Sequence, residues 1–402
     1  MGSGFDVVSG GEIARCLAAG VKPSQIIFSG CGKSDEEIKF AVESGVSCIN
    51  VESWEELDKI EAVASKLNKV QNVSVRINPD LALDGHSHPN ILTGSIGHKF
   101  GVSISEGPEI YSRAKASSSL KIKGISCHLG SNIHSVEPYI EARDKLLHLA
   151  DELRTESRIC IEHIDLGGGF PIQSFDIPDV GVWIEKLAKP ILDRGLKLIL
   201  EPGRSIIADA GILLTKIEYV KSMSLSHGPG SGSASPRSGS FVERIRETPA
   251  RRISKTFVIL DAGFNDFART ALYGAHHPLI PTVLRPTDPA LPLEFKYDIT
   301  GPVCETTDIF HKDFITSQRL IPGDYLVLAE AGAYGSSMSS NYNSRNKPAE
   351  VLINDGRPVL IAERETFNQQ FEREKVPKDL KIKTLKIDEG DELAEDFNNN
   401  ST

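Results

Sequence analysis

The chain has 402 residues, of which 40% are hydrophobic, and a chain of this length can form about two domains with sizeable cores. Its formal net charge of −10 argues against a nucleic-acid partner and against an anionic membrane surface. No apolar run approaches the ~20 residues that span a bilayer, and no signal peptide is recognisable. We therefore expect a cytoplasmic protein, with an organelle-targeting segment upstream of these residues as the alternative.

Seven short apolar runs predict strands in the first half of the chain. They are Phe5–Val8, Ile26–Ser29, Cys48–Val51, Val73–Ile77, Ile122–His128, His163–Leu166 and Lys197–Leu200. Helical patterns alternate with them at Gly11–Ala19, Asp35–Glu43, Ser53–Leu67, Val136–Leu153 and Val182–Arg194. Ser34 is the predicted N-cap of the second helix, and Ser53 with Glu56 is typical of a capping box. Regular alternation of this kind predicts a parallel sheet covered by helices.

Polar residues and glycines cluster just after these strands. A (β/α)8 barrel builds its active site at that end of its strands, so we predict an α/β fold of the barrel type. A doubly wound sheet is the alternative, but it gives no reason for functional residues after nearly every strand.

The second half of the chain differs in composition. The run Ser222–Ser240 is rich in Ser, Gly and Pro, which predicts a disordered insertion; a phosphosite or basic patch at the flanking arginines is the alternative. Short strands with turn signals then predict a C-terminal antiparallel β-domain: Thr256–Leu260, Glu294–Ile299, Asp324–Leu328, Ala349–Ile353 and Arg357–Ala362. The predicted divisions are a barrel at 1–215, a β-domain at 216–385 that includes the insertion at 222–240, and a disordered acidic tail at 386–402.

The cysteines and histidines do not predict a metal site. Six cysteines are scattered without a C-x-x-C motif, which favours free thiols in a reducing compartment. His86 and His88 have metal-like spacing but no third ligand nearby, so we interpret them as part of a loop.

Three glycine-containing motifs follow the late strands: His128–Ser131, Gly167–Gly169 and Glu201–Arg204. Glycine lets backbone N–H groups approach a phosphate closely, and a helix N-terminus adds positive potential. Three such motifs at one barrel mouth indicate a phosphorylated cofactor. The run Gly30–Ser34 only looks like a P-loop, because Ile27 stands where that motif needs glycine.

With these motifs, the chain resembles the fold-type III pyridoxal phosphate (PLP)-dependent decarboxylases, and within them the diaminopimelate branch. The segments that carry the resemblance are Phe5–Glu12, His128–Ser131, Glu201–Arg204, Gly301–Glu305, Ala331–Gly335 and Ser339–Arg345. They follow one another in the family's order. The Cys304-Glu305 pair and the last segment favour the diaminopimelate branch, whereas Gly169-Phe170-Pro171 is closer to the ornithine branch.

The resemblance implies PLP as cofactor, meso-2,6-diaminopimelate as substrate and L-lysine as product. It implies that His128 stacks on the pyridine ring, and that Glu201 keeps the ring nitrogen protonated so that the ring can accept electrons. The other implied cofactor-binding residues are Asp6, Arg76, Ser131, Gly168, Gly169, Gly203 and Tyr334.

The resemblance also implies the substrate contacts. Arg204, Arg269 and Tyr273 would hold the distal carboxylate, a role that suits a planar guanidinium. Glu305 would meet the distal ammonium, and Cys304 would be a catalytic proton donor near Cα. Both would reach across from the second subunit of a homodimer with shared active sites.

In this family the first barrel strand carries a Schiff-base lysine shortly before the segment that matches Phe5–Glu12. No such lysine precedes Phe5, so we expect a barrel without its first strand, with two unpaired edges, and no Schiff base with PLP in the chain as written. Lys33 lies at the end of the wrong strand to substitute. The alternatives are a decarboxylase of another amino acid of the ornithine or lysine type, a pseudoenzyme that acts through protein contacts, and a truncated gene model.

Overall fold

The structure, a computed structural model, describes residues 2–81, 98–172, 179–225, 253–286, 292–375 and 377. The chain divides into two units, Met1–Ser339 and Ser340–Thr402. His86, His88, most of the predicted insertion and the predicted tail lie outside the described residues. Among the described helices, none has the length and apolar character needed to cross a membrane.

Eight strands of the first unit form one parallel sheet. They are β1 (Phe5–Val7), β2 (Ile26–Phe28), β3 (Cys48–Val51), β4 (Gln71–Asn78), β5 (Val102–Ser103), β6 (Leu120–Ser126), β7 (His163–Asp165) and β8 (Lys197–Ile199). The order is β1-β2-β3-β4-β6-β7-β8, with β5 beside β4. The sheet is curled, and among the described strands β1 and β8 each pair on one side only. The predicted barrel-type α/β fold is confirmed, and the carboxyl ends of the strands meet at one edge.

Helices cover this sheet between the strands. They are α1 (Gly10–Ala18), α2 (Asp35–Ser44), α3 (Trp54–Lys66), α4 (Gly107–Lys115), α5 (Glu137–Thr155), α6 (Val180–Leu192) and α7 (Arg204–Ile207). Ser34 caps α2 in a capping box with Glu37. Ser53 caps α3 by accepting from the Glu56 N–H, but the Glu56 carboxylate pairs with Lys33 instead of closing the predicted box. Sequence analysis missed α4.

The apolar core of this region lies between the strands and the inner faces of the helices. All four residues of β3 are buried, as expected for a strand covered on both faces. Tyr139 of α5 stacks on Phe170 with ring centroids 5.0 Å apart, and its hydroxyl donates to the Gly168 carbonyl over 2.8 Å, so this pair supports the segment after β7.

The rest of the first unit contains a six-stranded mixed sheet. Its strands are β9 (Leu213–Leu225), β10 (Ile253–Leu260), β11 (Leu279–Pro281), β12 (Phe295–Thr300), β13 (Ile309–Thr316) and β14 (Tyr325–Leu328), and the short helix α8 (Arg269–Tyr273) follows β10. The order is β11-β14-β9-β10-β12-β13. The β10–β12 pair is parallel and the other pairs are antiparallel. The predicted β-domain is therefore present, but with one parallel pair.

The predicted start of the disordered insertion is wrong. Ser222–Leu225 belong to β9 and pair in register with the first residues of β10, where Ser222 lies opposite Thr256 and Leu225 opposite Ile253. The ladder satisfies the backbone polar groups of this segment whatever its side chains. Its serine content therefore did not decide its structure.

The predicted division at 215/216 falls within β9 and stays a prediction. Two separate cores draw on residues 7–191 and 217–328. The second unit, Ser340–Thr402, contains the antiparallel hairpin of β15 (Glu350–Asn354) and β16 (Arg357–Ala362) and the short helix α9 (Phe367–Phe371).

Candidate active site

A cavity of about 400 Å³ lies at the carboxyl ends of the parallel strands. Its lining residues are Asp6, Val8, Ser29, Gly30, Cys31, Asn50, Arg76, Phe100, Ser126, Cys127, His128 and Glu201. Because the strands are parallel, residues that are far apart in sequence reach the same edge of the sheet. Four predicted cofactor-binding residues, Asp6, Arg76, His128 and Glu201, therefore line one cavity.

Glu201 follows β8 and faces His128, which follows β6. The Glu201 Oε2 atom lies 3.1 Å from His128 Nδ1, and the Gly168 N–H donates to the same nitrogen over 3.1 Å. In the tautomer whose Nδ1 accepts from Gly168, that nitrogen carries no proton, and a protonated Glu201 can share it. Burial, and next the charge of Asp6, raises the pKa of Glu201 to about 8. Burial, and next the charge of Arg76, lowers the pKa of His128 to about 4.

Glu201 forms an acid cluster with Asp6 and Asp165. Asp165 of β7 is buried, and its Oδ1 accepts from the Gly167 N–H over 3.0 Å. Burial, and next the charge of Glu201, raises the Asp165 pKa well above its usual value. Asp6 accepts from Ser29 Oγ at 2.5 Å, and Ser29 Oγ accepts from Asn50 Nδ2 at 2.9 Å. Burial raises the pKa of Asp6 to about 7, and the Ser29 hydrogen bond opposes that rise. The acid cluster therefore holds protons at neutral pH and favours a cationic ligand.

Arg76 of β4 is the one arginine or lysine among the described lining residues. Its Nη1 donates to Glu52 Oε1 over 2.9 Å and its Nη2 to the His128 carbonyl over 3.5 Å. Its guanidinium lies 4.8 Å from the Phe100 ring centroid. Arg76 is thus fixed by residues on three separate segments.

Sequence analysis did not select Ser29, Asn50, Glu52 or Asp165. Each stands at the end of an apolar strand or directly after it, so the rule that places barrel active sites there could have found them. Hydrogen bonds of Ser29, Asn50 and Glu52 join residues 21 to 24 positions apart on adjacent strands, and no spacing in the sequence encodes those contacts.

Arg204 and Arg269, the arginine pair, flank Tyr334. Each guanidinium lies 4.9 Å from the Tyr334 ring centroid, and Arg269 lies 5.4 Å from that of Tyr273. Arg204 Nη2 donates to Ser131 Oγ over 2.9 Å, while both Nε atoms are buried and find no hydrogen-bond partner among the described residues. Burial lowers the pKa of both side chains, and Arg204 lowers that of Arg269 further. Like charges with unpaired buried N–H groups suit an anionic ligand.

The predicted glycines have different surroundings. A Cβ on Gly168 would lie 2.3 Å from the Glu201 carbonyl oxygen, and one on Gly169, whose φ is +92°, would lie 2.5 Å from the Gly130 carbonyl oxygen. Close packing of backbone segments therefore requires glycine at both positions. A Cβ on Gly203 would meet nothing within 4 Å, so open space lies beside the start of α7.

Cys304 and Glu305 lie on the loop between β12 and β13, and both are exposed. Neither lines the described cavity. The buried Asp308 carboxylate orders this loop, because it accepts from the Val303 N–H and from the Phe264 N–H, each over 2.7 Å. The structure thus gathers the other predicted residues near the strand ends but presents these two on a surface loop.

Lys33 is buried and does not line the cavity. Its Nζ donates to the carbonyls of Gly30 and Asn50 over 2.6 and 2.8 Å, and to Glu56 Oε1 over 2.5 Å. An ammonium group has three donors, and these contacts use all of them. Lys33 is therefore a structural lysine in this arrangement.

The residues present fit a PLP cofactor. Glu201 of the acid cluster can pair with a protonated ring nitrogen. The open space at Gly203 lies in the same motif as Arg204, which contacts Ser131, and these residues offer donors to a phosphate.

The chain is similar to known PLP-dependent decarboxylases. A family model described as pyridoxal-dependent decarboxylase, pyridoxal binding domain, matches residues 1–208. The chain is 43% identical over 376 residues to the diaminopimelate decarboxylase of Neisseria meningitidis serogroup A, covering 93% of this chain and 83% of that protein. It is 39% identical over 373 residues to the diaminopimelate decarboxylase of Pseudomonas aeruginosa, covering 92% and 80%.

Solved structures agree with the sequence relatives. Diaminopimelate decarboxylase from Helicobacter pylori in complex with L-lysine superposes with a TM-score of 0.79 at 36% identity, covering 92% of this chain and 84% of that chain. The enzyme from M. jannaschii in co-complex with L-lysine gives a TM-score of 0.78 at 32% identity, covering 93% and 80%. These matches confirm the predicted family, fold and cofactor.

Proposed function

Because the chain belongs to the pyridoxal-dependent decarboxylases, and within them to the diaminopimelate decarboxylases, we propose that it removes one carboxylate of meso-2,6-diaminopimelate as CO₂ and leaves L-lysine. The arginine pair is the observation that carries this choice of substrate. Its buried, unpaired Nε–H groups suit the distal carboxylate, which the reaction leaves in place. Ornithine has no second carboxylate to offer them.

PLP, when bound, supplies an electron sink for the electron pair of the breaking Cα–carboxylate bond. In this proposal Glu201 faces the ring nitrogen, His128 stacks on the ring, and Asp6 and Arg76 contact the cofactor from the earlier strands. Ser131, Gly168, Gly169, Gly203 and Tyr334 surround the phosphate or the ring. Burial raises the pKa of Glu201, and a neighbouring cation would lower it again. A protonated ring nitrogen is such a cation, so each group favours the charged form of the other, which supports the proposed role of Glu201.

The substrate is held at its other groups by residues of α7 and of the mixed-sheet region. Arg204, Arg269 and Tyr273 bind the distal carboxylate. Glu305 meets the distal ammonium, and Cys304 delivers a proton to Cα. The exposed positions of Cys304 and Glu305 support their service to a second subunit, so the proposed assembly is a homodimer with shared sites. The cytoplasmic location expected from the sequence stays a prediction.

A comparison of three amino acids tests the choice of substrate. Protein that includes the family's lysine-bearing first strand is purified, loaded with PLP and given meso-diaminopimelate, L-ornithine and L-lysine, and CO₂ release gives kcat/KM for each. The same protein serves for the other activity assays. Diaminopimelate should be strongly preferred, because buried cations left without their anion discriminate against the smaller substrates. Equal or faster release from ornithine would place the chain in the ornithine branch. Release from none of them would favour the pseudoenzyme alternative.

Mixed dimers test the shared site. Glu201→Gln and Cys304→Ala are each expected to be nearly inactive, and the two variants are co-expressed in one cell with different tags. If each site takes Glu201 from one chain and Cys304 from the other, a mixed dimer has one intact site. In the unseparated co-expressed protein, about a quarter of wild-type activity should then return, because half of the dimers are mixed and one of their two sites works. No recovery in dimers purified through both tags would show that both residues act within one chain.

A further inference from the structure

Glu52 stands directly after β3, behind the cavity wall, and only 3% of its surface is exposed. Both of its carboxylate oxygens are engaged: Oε1 accepts from Arg76 Nη1 at 2.9 Å, and Oε2 accepts from the Gly101 N–H at 2.8 Å. A buried carboxylate is costly unless such partners compensate for the loss of water. Its two partners belong to different elements, so Glu52 ties the end of β3 to β4 and to the segment before β5.

The two partners of Glu52 are part of one packed unit. Gly101 has a φ of +69°, and a Cβ there would lie 2.8 Å from the Arg76 carbonyl oxygen. The residue before it, Phe100, lies under the Arg76 guanidinium and lines the cavity beside it. The one carboxylate therefore fixes both the cation and the aromatic ring of that wall.

We infer that Glu52 is a positioning residue, which holds the Arg76 guanidinium and the Phe100 ring in the cavity wall. Glu52 itself does not line the cavity and acts through these two side chains. Without it, Arg76 retains, among the residues that the structure describes, only the long contact to the His128 carbonyl, at 3.5 Å, and the packing on Phe100. A flexible arginine stem would then adopt other rotamers.

The charge of Glu52 has a second consequence for the acid cluster. The charge of Arg76 lowers the pKa of Glu201 and that of Glu52 raises it. The two groups oppose each other at the acid cluster, so losing one of them alters the proton occupancy of Glu201. Glu52 is joined in turn to the Lys33–Glu56 pair, because its own N–H donates to Glu56 Oε2 at 3.3 Å.

The test measures the binding of pyridoxamine 5′-phosphate, a probe that needs neither a Schiff base nor turnover. Its fluorescence is titrated with wild-type protein and with Glu52→Gln, Glu52→Asp, Arg76→Met and the double variant Glu52→Gln/Arg76→Met. Glu162→Gln is the matched control, because Glu162 also pairs with a cation, Lys123, but outside the cavity. Circular dichroism checks that each variant is folded.

Glu52→Gln should weaken binding of the probe about tenfold, because a charge-assisted hydrogen bond is lost. Glu52→Asp should be intermediate, because its carboxylate is kept. The double variant should bind little more weakly than Arg76→Met alone, since the effect exerted through Arg76 is already lost and the amide oxygen that Glu52→Gln introduces can still accept from the Gly101 N–H that positions Phe100. Additive losses in the double variant, or wild-type affinity of Glu52→Gln, would overturn the inference. If Glu52→Gln does not fold, an unchanged affinity of Glu52→Asp together with wild-type affinity of Arg76→Met would also overturn it.

The inference rests on the proposed cofactor site, and the two can fail separately. If wild-type protein does not bind the probe, the proposed cofactor site is wrong. If wild-type protein binds it and Glu52→Gln binds it equally well, only the role of Glu52 is wrong.

Discussion

The acid cluster and the arginine pair are two regions of like charge that respond differently to burial. In the acid cluster the pKa values of Asp6 and Glu201 rise to about 7 and about 8, so these side chains become neutral by taking up protons. An arginine cannot lose its proton near neutral pH. Arg204 and Arg269 therefore stay charged, and an anion is the way to satisfy their buried N–H groups.

This difference assigns separate properties to the two regions. The acid cluster should make the free protein sensitive to pH, because its charge depends on pH. The arginine pair should instead set substrate selectivity at every working pH. Variants that remove one charge from each region can test this separation.

Arg269→Met should have the largest effect. We expect kcat/KM for diaminopimelate to fall by roughly 10⁴-fold, as for sites that lose the polar partner of a substrate group, while kcat/KM for ornithine changes by less than about tenfold. Decarboxylation assays with both substrates measure the two ratios. Arg154→Met is the control, because Arg154 is exposed and pairs with Asp151 on the outer side of α5. An equal loss for both substrates would mean that Arg269 supports the fold and does not select the carboxylate.

The sequence predicted which functional residues lie at the ends of the parallel strands. Parallel strands place their carboxyl ends at one edge, so Asp6, Arg76, His128 and Glu201 could be assigned to one site before their distances were known. The network behind them could not be predicted in the same way. Asn50, Ser29 and Asp6 come from three strands, and their hydrogen bonds depend on the register between those strands.

The mixed sheet shows the same limit. Composition suggested disorder at Ser222–Leu225, but the partner strand β10 decided the outcome by supplying backbone hydrogen bonds. The parallel register of β10 and β12 is likewise a property of the tertiary fold. Local patterns thus predicted where most elements lie, and pairing between distant elements determined the rest.

Lys33→Met should have the next largest effect, on the free energy of unfolding. The Lys33–Glu56 pair lies beside the acid cluster but is fully satisfied, so removing its cation leaves Glu56 as a further unpaired buried acid. Breaking a buried ion pair from one side should lower the free energy of unfolding by about 4 kcal/mol. Urea unfolding at pH 7 measures this value.

The matched control for this pair is Lys123→Met, which breaks the more exposed Lys123–Glu162 pair and should cost less than about 1 kcal/mol. The double variant Lys33→Met/Glu56→Gln should regain part of the loss, since it no longer buries an unpaired acid. Equal effects of Lys33→Met and Lys123→Met would contradict the distinction between a buried and a more exposed ion pair.

Glu201→Gln should change the free energy of unfolding of the cofactor-free protein only within one pH range. The pKa of Glu201 is about 8 in the folded protein and roughly 4.3 in an unfolded chain. Between these values the folded state keeps a proton that the unfolded state releases. The stabilisation from this proton is complete below the unfolded pKa and is lost as the pH rises through the folded pKa.

Cofactor-free wild-type protein should therefore lose stability between about pH 4 and pH 8 relative to Glu201→Gln, by roughly 1.4 kcal/mol per pH unit. Urea unfolding of both proteins at a series of pH values measures the difference, which should level off above the folded pKa. Glu162→Gln is the control and should show a pH dependence of stability with the opposite sign. Lys123 holds the pKa of Glu162 below its usual value, so the stability that ionised Glu162 contributes is lost only in acid. If Glu201→Gln and wild-type protein keep parallel stability curves across this range, Glu201 is ionised in the folded protein. The proposed proton uptake by the acid cluster would then be wrong.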